Sequence, residues 1–216
     1  MSRISIIYKA LQELGPRQVG LYAWYQFGLH SGYLRWATNS ARHKVEAHPE
    51  CLQFNPLLEI PGQDDLITVL GEAGMSQLLS EADEIVSGQV RLFGAEKAPL
   101  KLSFSEPLYP WTAYETRPEH LSQLADGTTD IKLIWEPGRF GWVYTLARAY
   151  YLSGNERYPR TFWELSEKFF ESNPPYNGPF WVSAQEVALR LLALVFALQV
   201  FWGALESTPE RIGRLK

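Results

Sequence analysis

Residues 139–158 read RFGWVYTLARAYYLSGNERY, and this stretch decides the fold. Val143, Leu146, Ala147 and Tyr150 recur at three- and four-residue steps, which is the period of one helix face. Ser153-Gly154 stops that helix, since glycine after the last periodic residue is the usual exit from a helix. Pro159 then suits the first turn of a second helix, whose face is Phe162, Leu165 and Phe169. Asn173-Pro174-Pro175 ends the second helix. Ser183-Ala184-Gln185-Glu186 has the form of a capping box and opens a third helix reaching to about Leu205. Two helices joined by SGNERY and a third after NPPYNG predict stacked helical hairpins.

Working outward, the N-terminal side is helical but less regular. Helical spacing predicts a helix ending at Gly15-Pro16. A second covers Gln18 to His30, with Val19, Tyr22, Ala23 and Gln26 on its face, and helical character continues to about Arg42. From His43 to Gln63 the pattern breaks up around Pro49, Pro56 and Pro61. Phe54, Leu57, Leu58 and Ile60 predict a connector that buries apolar side chains. A helix over Met75 to Val86 follows. Gln89–Phe93 and Leu100–Phe104 alternate in polarity and predict a small β-hairpin. Ser207 to Lys216 reads as a polar tail. The organisation expected is therefore 1–116 (helical segment, connector and β element), 117–206 (hairpin stack) and 207–216 (tail).

Composition narrows the function classes. Of 216 residues, 46% are hydrophobic and 20% charged, which excludes a disordered, solvating chain. The formal net charge of −4 argues against a nucleic-acid module. The single cysteine, Cys51, rules out an internal disulfide framework. His30, His43, His48 and His120 form no pair at helical metal-ligand spacing, so no metal or cofactor is expected. No GxSxG, phosphate loop or dinucleotide turn is present. Met1 to Leu14 mixes charges into its apolar pattern and is no signal peptide, so a cytoplasmic location is expected. The run VALRLLALVFALQVFWGAL (187–205) approaches the length of a bilayer span. Arg190 and Gln199 interrupt it, so a soluble helix buried on most sides is the reading, with no membrane partner.

The polar residues set densest among aromatics lie between Asp130 and Arg190. Glu136 precedes Pro137 and is expected in an extended conformation. Arg139 is expected in a first helical turn, an unfavourable place for a cation, which calls for a partner that is either a structural carboxylate or a ligand. Glu186 is explained by the capping box, and Arg190 by an i,i+4 ion pair with it. Trp135 and Trp181 suit either a core or a sugar-stacking platform. The phrase around Leu146-Ala147 and Gly154-Asn155 also resembles a tetratricopeptide hairpin, but no second copy occurs at that period.

Three blocks, DIKLIWEPGRF (130–140), LARAYYLSGNERY (146–158) and NPPYNGPFWVSAQEVALR (173–190), together resemble the N-terminal helical, alginate lyase-like domain of the heparinase II/III-like polysaccharide lyases. ADEIVSGQVRLFG and PLYPWTAYE resemble the segment leading into it. The resemblance implies a mainly α fold, part of an (α/α) toroid of helical hairpins with a small β-hairpin. It implies β-elimination on uronic-acid-containing polysaccharides, and an acidic polysaccharide as partner. It also implies a catalytic Asn or His, a Tyr and a β-sandwich His that match no position of this sequence. The chain is therefore expected to be inactive alone and to partner the remaining part of such an enzyme. Lys132, Trp135, Glu136, Arg139, Asn173, Trp181, Glu186 and Arg190 match the toroid and are the substrate-binding or scaffold candidates, with no catalytic residue assigned. A non-catalytic carbohydrate-binding accessory protein and a helical interaction scaffold are the rival readings.

Overall fold

The computed structural model describes residues 3–42, 56–94, 96–104, 107–117, 119–124 and 130–215. It is mainly helical with one two-stranded antiparallel sheet. In chain order the elements are α1 (Arg3–Leu14), α2 (Pro16–His30), α3 (Tyr33–Arg42), α4 (Gln63–Val86), β1 (Gln89–Arg91), β2 (Lys97–Pro99), α5 (Trp111–Thr116) and α6 (Glu119–Leu124). They continue with α7 (Ile131–Gly138), α8 (Gly141–Ser153), α9 (Arg157–Ser172), α10 (Ala184–Phe201) and α11 (Pro209–Leu215).

Helix α8 is the centre. It packs against α4, α9 and α10. Its buried face is Val143, Leu146 and Ala147, as the three- and four-residue spacing requires. Alanines at the contacts (Ala147 and Ala149 on α8, Ala193 and Ala197 on α10, all fully buried) keep side-chain bulk out from between the helices. Larger side chains fill the spaces left. Phe162 of α9 meets Phe201 of α10 in a tilted pair at 5.1 Å, and Phe140 meets Phe169 edge-on at 4.8 Å. Gly154 ends α8 in the left-handed region (φ 66°), where its N–H donates to Tyr150 O at 2.7 Å.

Leu78, Ala82 and Ile85 of α4 belong to the same core as α8 and α9. Several expectations about single elements are corrected. The helix expected over Met75 to Val86 is present as the second part of α4; a further helical piece from Gln63 precedes it, separated by a break at Gly71 (φ 63°, ψ 178°) that only glycine adopts without strain. The second strand is Lys97–Pro99, not 100–104. Phe93 (φ 53°) and Gly94 (φ 71°) turn the chain early, so Gln89 pairs with Pro99 and Leu102 is free to enter the core. Glu84 of α4 binds Arg91 and Lys97 and ties this hairpin to the helix.

The connector is described from Pro56 onward; Cys51 and Phe54 lie outside the described residues. Polar bonds hold it, not buried leucines. Leu57 is 72% exposed, yet the Leu57 and Leu58 N–H groups both donate to Gln199 Oε1, at 3.1 and 3.0 Å. The Tyr151 hydroxyl donates to Pro61 O at 2.9 Å. The expected tail is instead α11, packed through buried Ile212. Arg211 pairs there with Glu167 (3.0 Å) and Glu206 (2.7 Å). Hydrophobic 207–216 content is low, but two apolar side chains, Ile212 and Leu215, and a cation paired with two carboxylates suffice to dock a short helix.

Helix α10 is, among the described residues, the one helix long and apolar enough by composition to cross a membrane. It is not buried on most sides. Leu191 and Leu192 face outward, while Ala193, Ala197 and Phe201 face the core.

Candidate functional site

Helix α7 is fixed at both ends. Asp130 caps its start, accepting from the Lys132 N–H at 3.0 Å. At the other end Pro137 sits inside the last turn, and Glu136 is helical rather than extended. A proline only disfavours the α region for the residue before it, and here tertiary bonds override that preference. Gly138 is required by a close approach: a Cβ there would lie 2.3 Å from Phe180 Cδ1. Phe140 then takes a left-handed conformation (φ 62°), rare for a bulky residue, and is completely buried.

This turn reverses the expected electrostatics of Arg139. It is the C-cap of α7 and precedes α8, so its cation lies at the favourable negative end of α7. Its guanidinium grips Glu186 with both Nε and Nη2, the latter at 2.9 Å from Oε1, and Nη1 binds Glu136. The bond to Glu186 pushes the Arg139 pKa up. Glu186 is only 4% exposed and is occupied by Arg139. The Ser183 side chain makes no capping bond, so SAQE does not form the expected box.

Arg190 is deeper still, at 2% exposure, and makes no ion pair with Glu186. Its Nε donates to Gly138 O (2.6 Å) and its Nη2 to Phe180 O (2.8 Å). The guanidinium sits over the rings of Phe169 (4.7 Å) and Trp181 (5.0 Å). Burial pushes its pKa down to about 10, so it stays charged at neutral pH. Asn173 is completely buried, donating from Nδ2 to Leu102 O (2.7 Å) and Phe169 O (2.8 Å). Trp135 and Trp181 are half-buried and spend their indole N–H groups on Pro179 O (3.0 Å) and Asn173 O (3.2 Å). Lys132 alone of the eight candidates is exposed. The structure thus gathers seven of them into one packed cluster. What their chemistry does there is join α7, α10 and the 173–182 turn.

Three features escaped sequence reasoning. Tyr109 stacks on His120 at 4.4 Å, with Tyr114 edge-on to His120 at 6.1 Å. Neither Tyr109 nor His120 has a side-chain hydrogen bond to a Lys, Arg or Asn among the described residues. Second, an exposed aromatic strip crosses α2 and α3: Trp24, Phe27, Tyr33 and Trp36, with rings 5.8 to 6.2 Å apart. Pairs at i,i+3 on adjoining helices were its signal. Third, a groove of about 500 Å³ lies between α4, α8, α10 and the connector, walled by Leu66, Leu70, Leu152, Phe196 and Val200. It required residues more than 100 positions apart to meet.

The fold and cluster define a mainly helical protein with a partly buried arginine–carboxylate network joining α7 to α10. Comparison of the chain with family models, with curated proteins and with solved structures finds no match.

Proposed function

We propose that the chain is the helical-hairpin part of an (α/α) toroid from a lyase that cleaves uronic-acid-containing polysaccharides by β-elimination, serving as scaffold without turnover of its own. One observation carries this reading. Two of the blocks that carry the heparinase II/III-like resemblance, 130–140 and 173–190, are tied to each other through Arg139, Glu186 and Arg190. The third block, 146–158, covers the C-terminal part of α8, the turn after it and the start of α9, and α8 packs against α4, α9 and α10. The resembling residues are therefore what holds the stack together.

Elimination needs a group to neutralise the uronate carboxylate, a base for the C5 proton and an acid for the departing glycosidic oxygen. Arg139 is bound to Glu186 and Glu136, and Arg190 donates to backbone carbonyls from Nε and Nη2, its buried Nη1 having no hydrogen-bond partner among the described residues. The Tyr109–His120 pair has proton-transfer groups but no hydrogen-bonded cation or amide among the described residues. Scaffolding follows from that distribution. The test is purified chain with a panel of polyuronates, read by calorimetry and by the ultraviolet absorbance of an unsaturated uronate. Binding without absorbance is the expected result. Turnover overturns the scaffold assignment, and no affinity for any polyuronate overturns the polysaccharide assignment. A helical interaction scaffold is the second reading, favoured by the exposed strip on α2 and α3.

A further inference from the structure

Two unpartnered surfaces on this chain complement each other. The first is the strip on α2 and α3. Trp24 and Phe27 are each 60% exposed and Trp36 is 65% exposed. Large contiguous aromatic exposure of this kind marks an interaction surface. Residues 3–42 carry five cations (Arg3, Lys9, Arg17, Arg35, Arg42) against one acid, Glu13. Arg17 and Arg35 are exposed and make no ion pair among the described residues.

The second surface is the groove beside α4. Its walls are mostly apolar, and its α4 rim continues into exposed Ile67 and Val69, the latter 83% exposed. Residues 56–86 hold seven acids and no Lys or Arg. Glu84 and Asp83 are paired, but Glu59, Asp64, Asp65 and Glu72 are exposed and make no ion pair among the described residues. Glu59 and Glu81 line the groove itself against one cation, Arg148, while Asp64, Asp65 and Glu72 stand beside it on α4.

We propose that a second copy of this chain covers these surfaces, the basic aromatic strip of each copy docking over the acid-rimmed groove of the other. Both halves occur in every copy, at equal number and with opposite charge. A two-fold axis makes the contact twice and closes the pair. Aromatic anchors entering an apolar pocket inside a charged rim are the arrangement that concentrates binding energy. A uronate polymer or an anionic membrane would match Arg17 and Arg35, but each would be repelled by the groove's rim and would leave its walls uncovered. The proposal does not depend on the lyase reading.

The test is sedimentation of the full chain over a concentration series at low and high salt, with two charge variants. One carries Arg17→Glu and Arg35→Glu; the other carries Asp64→Lys, Asp65→Lys and Glu72→Lys. All five positions are exposed, and circular dichroism checks that the helices are retained. Wild type is expected to dimerise, less at high salt, and each variant alone to dimerise at least tenfold more weakly. An equimolar mixture restores the dimer, because each variant's strip then faces a groove of opposite sign. Trp24→Ser with Trp36→Ser weakens it at least tenfold without altering its salt dependence. A monomeric wild type overturns the proposal, as does a mixture no tighter than its components. A monomer that instead co-sediments with a polyuronate or with phosphatidylserine vesicles through Arg17 and Arg35 also overturns it.

Discussion

Arg139 and Glu186, 47 residues apart in the chain, meet through a two-pronged bond that closes α7 onto the first turn of α10. The same guanidinium holds Glu136, three residues back. One cation therefore faces two carboxylates, one of them in the interior.

Arg139→Ala leaves Glu186 buried without its counter-charge. Removing one partner of a buried pair typically costs about 3–5 kcal/mol, while replacing both by apolar groups is often close to neutral. Urea unfolding of Arg139→Ala should show a loss of that order, and Arg139→Leu with Glu186→Leu a clearly smaller one. A single variant no worse than the double would mean that Glu186 is not held by Arg139.

Gly138→Ala places a methyl 2.3 Å from Phe180 Cδ1 and 2.5 Å from Cε1, against a buried ring with no room to swing. Overpacking of this kind costs about 1–3 kcal/mol. Gly141→Ala, three residues on, meets nothing and should be neutral or stabilising by up to about 1 kcal/mol. Thermal melts of the two variants side by side test the contrast, and equal melting temperatures would refute it.

Phe140→Gly sets two effects against each other. Glycine relieves the left-handed backbone, worth roughly 1–2 kcal/mol. Deleting a fully buried phenyl ring costs about 3–5 kcal/mol. The ring touches Trp142 (4.9 Å) and Phe169 (4.8 Å), so the packing loss should win and leave a net destabilisation. A stabilised variant in denaturant titration would show that backbone strain is the larger quantity.

Glu84 supplies a pH signature. Its bonds to Arg91, and then to Lys97, lower its pKa from 4.5 to about 2. A carboxylate depressed in the folded state is stabilising in full above its unfolded value. That contribution fades as pH falls through 4.5 towards 2, because the unfolded chain takes up the proton first. Wild type should therefore lose stability over that window more steeply than Glu84→Gln, measured as the difference in urea midpoint at each pH. Parallel curves would count against the hairpin anchor.

Much of the α8–α10 region was legible because its signals are local. The spacing of Val143, Leu146 and Ala147, the stop at Gly154 and the breaker Asn173-Pro174-Pro175 each act within one or two turns. The candidate residues were found for the same reason, as polar groups set among aromatics. Their roles were not legible. Glu186 satisfies the local rule for a capping box, yet a cation from a distant helix offers it a charge-assisted bond and takes it away. Arg139 was placed at the wrong end of a helix because the break at Phe140 violates a backbone preference. Only the packing around that ring sustains such a conformation.

By itself, the sequence determined the helices of the α8–α10 region and their apolar faces, and that basic and acidic segments are separated along the chain. Tertiary structure alone decided that Leu57 stays exposed while Gln199 holds its backbone, that α11 docks, and that Arg139 joins α7 to α10. The physical reason is range. Periodicity and capping are set by neighbours within a few residues, whereas the partner of a buried charge or an exposed ring is chosen by whatever the fold brings within about 3–6 Å.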